Sequence, residues 1–239
     1  MGQGEPRRRP RKLGGLIGAA FLCLKRQFPR IFAWLKRAVA GSIGATMTED
    51  EILAEFRAAD ALLEGHFILS SGLRSPRYLQ CARVLMDPAR AERLARALAA
   101  KLPADTRNRI DSVVSPAMGG VIIGHEMGRA LGRPAMFLER PEGTFGLRRG
   151  FRIEPGQKVL MVEDVVTTGL SSREAIEAVR EAGGVVVAEA ALVDRSGGTA
   201  DLGVPFTPLI RIDVPTYSAD DLPPDLAAIP PIKPGSRAA

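Results

Sequence analysis

The chain has 239 residues, 46% of them hydrophobic and 25% charged, enough to bury one sizeable core beside an accessory segment. Its two cysteines, Cys23 and Cys81, stand far apart with no histidine at metal-ligand spacing, which argues against a disulfide framework or a zinc site and fits a reducing cytoplasm. The net charge of +6 is uneven: residues 1–46 hold ten Lys/Arg against the single acid Glu5, and the remainder carries −3, so the body of the chain has no bulk attraction for nucleic acid.

In chain order, residues 1–46 come first as a basic extension. Its longest uncharged run, Leu13 to Leu24, has twelve residues, whereas a bilayer-spanning helix needs about 20. Three readings stay open: an unstructured leader before a start at Met47, a basic amphipathic helix that contacts an anionic membrane surface, and a secretory signal with Ala38-Val39-Ala40 as its cleavage site. Lys25, Arg26, Arg30, Lys36 and Arg37 interrupt the approach to that site and weigh against the third.

From Met47 the pattern becomes orderly. Thr48 to Glu51 form a capping box, and Ile52, Leu53, Phe56, Ala59, Leu62 and Leu63 follow at helical spacing, which predicts a helix to about Leu63. Residues 65–88 alternate short apolar runs with Gly and Pro turns and read as small strands; residues 88–102 return to helix. From Ile110 strand, turn and helix repeat: "IDSVVS" into "VIIGHEMGRAL", then "PAMFLER", then "KVLMVED" into "SREAIEAVREAG", then "VVVAEAALVD". Continuous rather than alternating apolar runs predict a parallel sheet covered on both faces, an α/β fold. Residues 47–214 form that domain, and the Pro/Ala-rich residues 215–239 read as a loosely packed tail.

The stretch "VLMVEDVVTTGLSS", Val159 to Ser172, carries the chemistry. A buried parallel strand ends in two adjacent acids, Glu163 and Asp164, at the carboxyl end where open α/β sheets bind ligands. Val165, Val166, Thr167, Thr168, Gly169, Leu170 and Ser171 then lead into a helix, and their hydroxyls and backbone N–H groups suit a phosphate. Neither the Gly-Lys-Ser/Thr ending nor Gly-x-Gly-x-x-Gly is present. Ionised carboxylates only accept hydrogen bonds, so two beside a phosphate need a donor between them, and a ribose diol next to a 5′-phosphate supplies one. The competing reading makes Ser171-x-x-Glu174 a capping box and leaves the acids solvated.

This stretch resembles the phosphoribosyl-diphosphate (PRPP) motif of the type I phosphoribosyltransferases. "HFILSSGLRSPRYLQ", residues 66–80, is similar to the N-terminal hood of the orotate-specific members, and "LVDRSGG", residues 192–198, to their orotate-binding segment. The resemblance covers residues 48–213. It implies a parallel sheet flanked by helices with a small hood, PRPP and orotate as substrates, Mg²⁺ arriving with PRPP, and a homodimer with shared sites. It also implies that Glu163 and Asp164 hold the ribose, that Val165 to Ser171 hold the 5′-phosphate, and that Arg195 pairs with the orotate carboxylate, with Thr167 reaching both base and phosphate. "SPAMGG", residues 115–120, brings Ala117 and Met118 to the pyrophosphate, and a non-proline cis peptide between them is implied.

Arg195 suits a carboxylate chemically, since a guanidinium binds one in a bidentate fork; an Asp194–Arg195 surface pair is the alternative. The chain also departs from the family. It has no Lys between Lys101 and Lys158 and no His in "ERPEGTFGLRRGF", and Ser70 stands where many relatives have Lys. Arg140, Arg148 and Arg149 remain as cations, with Arg140 and Asp164 expected at the reacting centre; exposed hairpin arginines are the alternative for Arg148 and Arg149. A purine phosphoribosyltransferase and a PRPP-sensing regulator are the rival functions.

Overall fold

The structure, a computed structural model, describes residues 46–69, 72–141 and 143–233, so the expectations for residues 1–45 and for Ser70 lie outside the described residues. Thr48 and Glu51 close the expected capping box and start α1, Glu49–Ala58. The helix stops earlier than its apolar spacing predicts. Asp60 takes a positive φ of 48°, the chain reverses, and Leu62–Ile68 forms β1. Leu62 and Leu63 lie opposite Leu79 and Tyr78 of β2, Arg74–Leu79, so pairing with a distant segment overrides local periodicity. These two antiparallel strands form a hood.

Three helices follow: α2, Cys81–Leu85, α3, Pro88–Lys101, and α4, Ala104–Arg109. Asp87 caps α3 by accepting from the Arg90 N–H, Pro88 fills its first turn, and Ala91, Leu94, Ala95 and Leu98 bury one stripe. The main sheet then forms from β3, Ser112–Pro116; β4, Ala135–Glu139; β5, Gly146–Leu147; β6, Lys158–Val166; β7, Val185–Asp194; and β8, Phe206–Arg211. Its order is β5-β4-β3-β6-β7-β8, parallel except for the short β5. Helix α5, Gly120–Leu131, links β3 to β4, and α6, Leu170–Glu181, links β6 to β7.

Alternate residues of the central strands feed two cores. Leu160, Val162 and Leu192 face the side that carries Leu94, Leu98 and Ile123, while Val159, Met161 and Ala191 face Ala175, Ile176 and Val179 of α6. Both faces are covered, which explains the unbroken apolar runs. The chain leaves β3 outward to β4 and returns on its other side as β6. The carboxyl ends of β3 and β6 therefore flank the point where the direction of winding changes.

The tail is not loose. Tyr217 bridges Arg74 of β2, Ile232 bridges Phe67 of β1, and Leu226 of α7, Pro224–Ala227, is buried. The His66 ring meets the Ile229 carbonyl at 2.8 Å. Low-propensity Pro/Ala composition hid this, because the contacts are backbone pairing onto free strand edges rather than an apolar pattern. Among the described residues no helix is long and apolar enough to cross a membrane.

Candidate active site

Strand β6 reaches the switch point with its two acids on opposite faces. Glu163 points to the α6 side and is 7% exposed. Burial pushes its carboxyl up to about 9, with the charges of Asp164 and then Glu189 adding to the rise and the Ser171 hydroxyl tempering it. Asp164 is also raised, by burial first, while N–H donation from Val165 works against the rise.

Asp164 lies against the β3–α5 turn. A Cβ built on Gly119 would stand 2.7 Å from both its carboxyl oxygens, and one on Gly120 3.0 Å from the Val162 carbonyl. Gly119 thus faces the neighbouring acid directly. The Ala117–Met118 peptide beside them is cis, and Met118 is exposed.

Gly119→Ala is expected to keep the fold, since φ is −57° there, with melting changed by about 1 kcal/mol or less. The added methyl must displace the Asp164 carboxyl, so turnover should fall by about tenfold or more. Parallel melting curves and steady-state kinetics check this; unchanged kinetics would show that the position of Asp164 is unimportant.

After β6 the loop turns through Gly169, at φ 73°, into α6. A Cβ there would strike Leu202 at 2.5 Å, so glycine is required both by conformation and by space. Gly169, at the N-cap of α6, supplies no side-chain cap, and Thr168 Oγ1 accepts from the Leu170 N–H at 3.4 Å. Ser171 Oγ donates to Glu163 Oε1 at 3.5 Å and Glu174 pairs with Arg140, so the capping box considered from the sequence is not made. The first-turn N–H groups of α6 thus border a cavity of about 230 Å³ lined by residues 165–172 with Glu163, Arg140 and Glu174. Arg173 Nη1 braces the loop by donating to the Thr168 and Asp201 carbonyls at 3.2 and 2.9 Å. Arg140 sits on the wall of this cavity with its guanidinium 4.0 Å from the Phe145 ring centroid. Arg149 forks onto Glu139 at 2.7 and 3.1 Å and Arg148 is exposed, which fits the hairpin reading of both.

Arg195 follows β7 directly and donates its backbone N–H to Val166 at 2.8 Å, which sets it beside the start of the hydroxyl loop. Its neighbour Asp194 is buried and already engaged by the Ser196 N–H and hydroxyl at 2.8 and 2.6 Å and by Arg211 at 3.2 Å. The Asp194–Arg195 surface pair is therefore not formed. Arg195 Nε is buried without a partner among the described residues, and burial lowers the guanidinium pKa, with Tyr78 of the hood and Cys81 close enough to offset part of that. The Cys81 thiol, itself pushed up by burial, points at the Asp164 carbonyl at 4.0 Å. Tyr78 of the hood, Cys81, Asp164 and Arg195 thus lie close to one another.

Residues 85–203 match the phosphoribosyl transferase domain family. The orotate phosphoribosyltransferase of Rhizorhabdus wittichii is 77% identical over 193 residues, covering 81% of this chain and 98% of the relative. That of Sphingopyxis alaskensis is 76% identical over 192 residues, 80% of this chain and 98% of the relative. The chain belongs to the orotate phosphoribosyltransferase family. The solved orotate phosphoribosyltransferase of Aeropyrum pernix superposes with a TM-score of 0.56 at 27% identity, over 67% of this chain and 93% of that one. The expected type I phosphoribosyltransferase fold is the fold observed.

Glu189, Arg173 and Tyr78 escaped the sequence reading, and Glu174 entered it only as a capping partner. Only Glu189 left a signal there: it is the one charge inside the apolar run of β7. The other three reach the site through helix register or hood packing. Among the described residues no three His, Cys, Asp or Glu side chains group closely enough to hold a metal ion.

Proposed function

We propose that this orotate phosphoribosyltransferase family member transfers the ribose 5-phosphate of PRPP to orotate, giving orotidine 5′-phosphate and pyrophosphate for pyrimidine nucleotide synthesis. The observation that carries the substrate assignment is Arg195: a partly buried guanidinium with an unpaired Nε, whose adjacent carboxylate is committed elsewhere. Such a group needs an anionic partner, and a planar carboxylate fits its fork. Orotate carries one; the purine bases do not.

In this reading the start of α6 and the hydroxyls of Thr167, Thr168 and Ser171 hold the 5′-phosphate, and Glu163 and Asp164 hold the ribose. Arg195 aims the orotate ring nitrogen at C1. As the C1–oxygen bond breaks, pyrophosphate leaves with the bonding pair, positive charge grows on the ribose ring, and the nitrogen–C1 bond forms with loss of the ring N–H proton to solvent. The protein contributes orientation and charge placement rather than covalent chemistry. Ala117 and Met118 border the pyrophosphate side, and Arg140 supplies fixed positive charge; being permanently protonated, it acts electrostatically. Mg²⁺ carried by PRPP would neutralise pyrophosphate charge; among the described residues no three carboxylates group closely enough to hold the ion by themselves. A homodimer, as the family resemblance implies, in a reducing cytoplasm, which the cysteine usage fits, completes the reading.

Arg195→Ala should raise the orotate KM strongly and leave PRPP binding nearly intact, since losing one partner of such a pair costs on the order of 2–5 kcal/mol. PRPP-dependent loss of orotate absorbance, with adenine, guanine, xanthine and uracil as controls, reads both the activity and the variant. Equal weakening of both substrates, or turnover of a purine in preference to orotate, would overturn the assignment.

A further inference from the structure

Glu189 is the charged side chain the reaction leaves unexplained. It lies mid-strand in β7, is 0% exposed, and neither carboxyl oxygen has a hydrogen-bond partner among the described residues. Its strand pairs in parallel with β6 so that Glu189 lies opposite Met161 and Ala191 opposite Glu163. Side chains two residues apart share a face, and Met161 and Ala191 both pack into the core beneath α6. Glu189 and Glu163 therefore lie on one face of neighbouring strands, Glu163 one step nearer the ligand end and close enough to feel the charge of Glu189.

Two buried carboxyls on one face of paired strands cannot both be ionised without large cost, and the cheapest arrangement keeps a proton on one of them. Burial pushes Glu189 up to about 7, with the Ser172 hydroxyl of α6, near it but beyond hydrogen-bond distance, opposing the rise, and Glu163 stands higher still at about 9. The surrounding charges do not change this. Asp164 beside Glu163 is a like charge, Arg140 and Glu174 across the cavity pair with each other, Arg173 is held by two carbonyls, and Arg211 of β8 is held by Asp194.

We propose that Glu189 is a positioning residue of the PRPP site, whose buried carboxyl, on the same face of the neighbouring strand, helps keep Glu163 protonated and thereby sets the charge that Glu163 presents to the ribose. The inference rests on the reading of Glu163 as a ribose-binding acid. It explains how two adjacent acids can face a phosphate-bearing ligand: over neutral pH the Glu163–Glu189 pair carries one negative charge instead of two. It also accounts for a carboxyl at a site where a valine or leucine would pack at no electrostatic cost.

The test uses the full-length protein with Glu189→Gln, Glu189→Val and Glu163→Gln. In Glu189→Gln the like charge disappears, so the alkaline ionisation governing kcat/KM for PRPP should fall by about one pH unit, a tenfold change in proton affinity. The PRPP KM should change several-fold, with the orotate KM unaffected. Glu189→Val should melt at a higher temperature than wild type yet show the same kinetic defect, a combination that a purely structural role does not produce. Infrared spectra of the wild-type protein at neutral pH should contain a protonated-carboxyl C=O band, lost in Glu163→Gln. A missing band overturns the proposal whatever the variants do. Unchanged PRPP kinetics in both Glu189 variants, with Glu163→Gln impaired, overturn it while leaving the ribose reading intact; wild-type kinetics in Glu163→Gln overturn both.

Discussion

Replacing Glu163 by Gln and Asp164 by Asn together should give a protein that is more stable than wild type at mildly alkaline pH and almost inactive. The two effects share one cause. Both acids are held above their ordinary carboxyl values by burial, Glu163 to about 9. In the unfolded chain such a group ionises near pH 4.5, so between about 4.5 and 9 the folded state binds more protons than the unfolded one. Stability contributed by the protonated carboxyl is complete below the unfolded value and is lost as pH rises through the folded one. Wild-type stability should therefore decline across that window, and the isosteric amides should flatten the decline. At pH near 8 the gain should be on the order of 1–3 kcal/mol.

Turnover moves the other way. The amides keep the volume, but Asp164→Asn removes a charge that stabilises positive charge growing on the ribose ring and Glu163→Gln removes a carboxyl that binds its hydroxyls, so PRPP-dependent turnover should fall by about 10²-fold or more. Thermal melts at several pH values, set beside initial rates, measure both. A double variant with wild-type rates would remove the ribose role, and one that fails to fold would make the pair structural.

How much of this was legible beforehand depends on the range of the interaction. The acidic pair, the Gly169 turn and the helix after it are contiguous, so their chemistry can be read from fourteen residues. The central strands were legible for a related reason: a strand covered on both faces must be apolar at every position, and few other elements look like that. Leu62 and Leu63 were misread because their spacing suits a helix, while their partners, Leu79 and Tyr78, lie across a hairpin. Arg195 was found through a resemblance, but the reason it is free for a ligand, the capture of Asp194 by Ser196 and Arg211, exists only in three dimensions. The contact of Gly119 with Asp164 was not legible, because it exists only where β3 and β6 are neighbours.

Ending the chain at Val214 should leave the parallel sheet folded and remove most of the activity. The hood is a two-stranded antiparallel pair, and such a pair on its own is marginal in water. The tail supplies what it lacks. Ile68 N–H donates to the Ile232 carbonyl at 2.8 Å and Ile232 N–H to the His66 carbonyl at 2.7 Å on one edge; Arg74 and Tyr217 exchange both backbone bonds at 2.8 and 2.9 Å on the other. The His66 ring adds its bond to Ile229, and Leu226 packs beneath. At about 0.5–1.5 kcal/mol for each backbone bond, the four together are worth a few kcal/mol, comparable with the whole margin of an isolated hairpin. Without them the hood should fray, and Tyr78, which lies near Arg195, should lose its fixed position. Because Glu163, Asp164 and the α6 start lie on the sheet, the truncated protein should still bind PRPP, while its orotate KM rises by about tenfold or more. Limited proteolysis should cut first within residues 62–79, and the main melting transition should shift little. Wild-type orotate kinetics in the shortened chain would show that the hood holds itself, and loss of the entire fold would show that the tail belongs to the core.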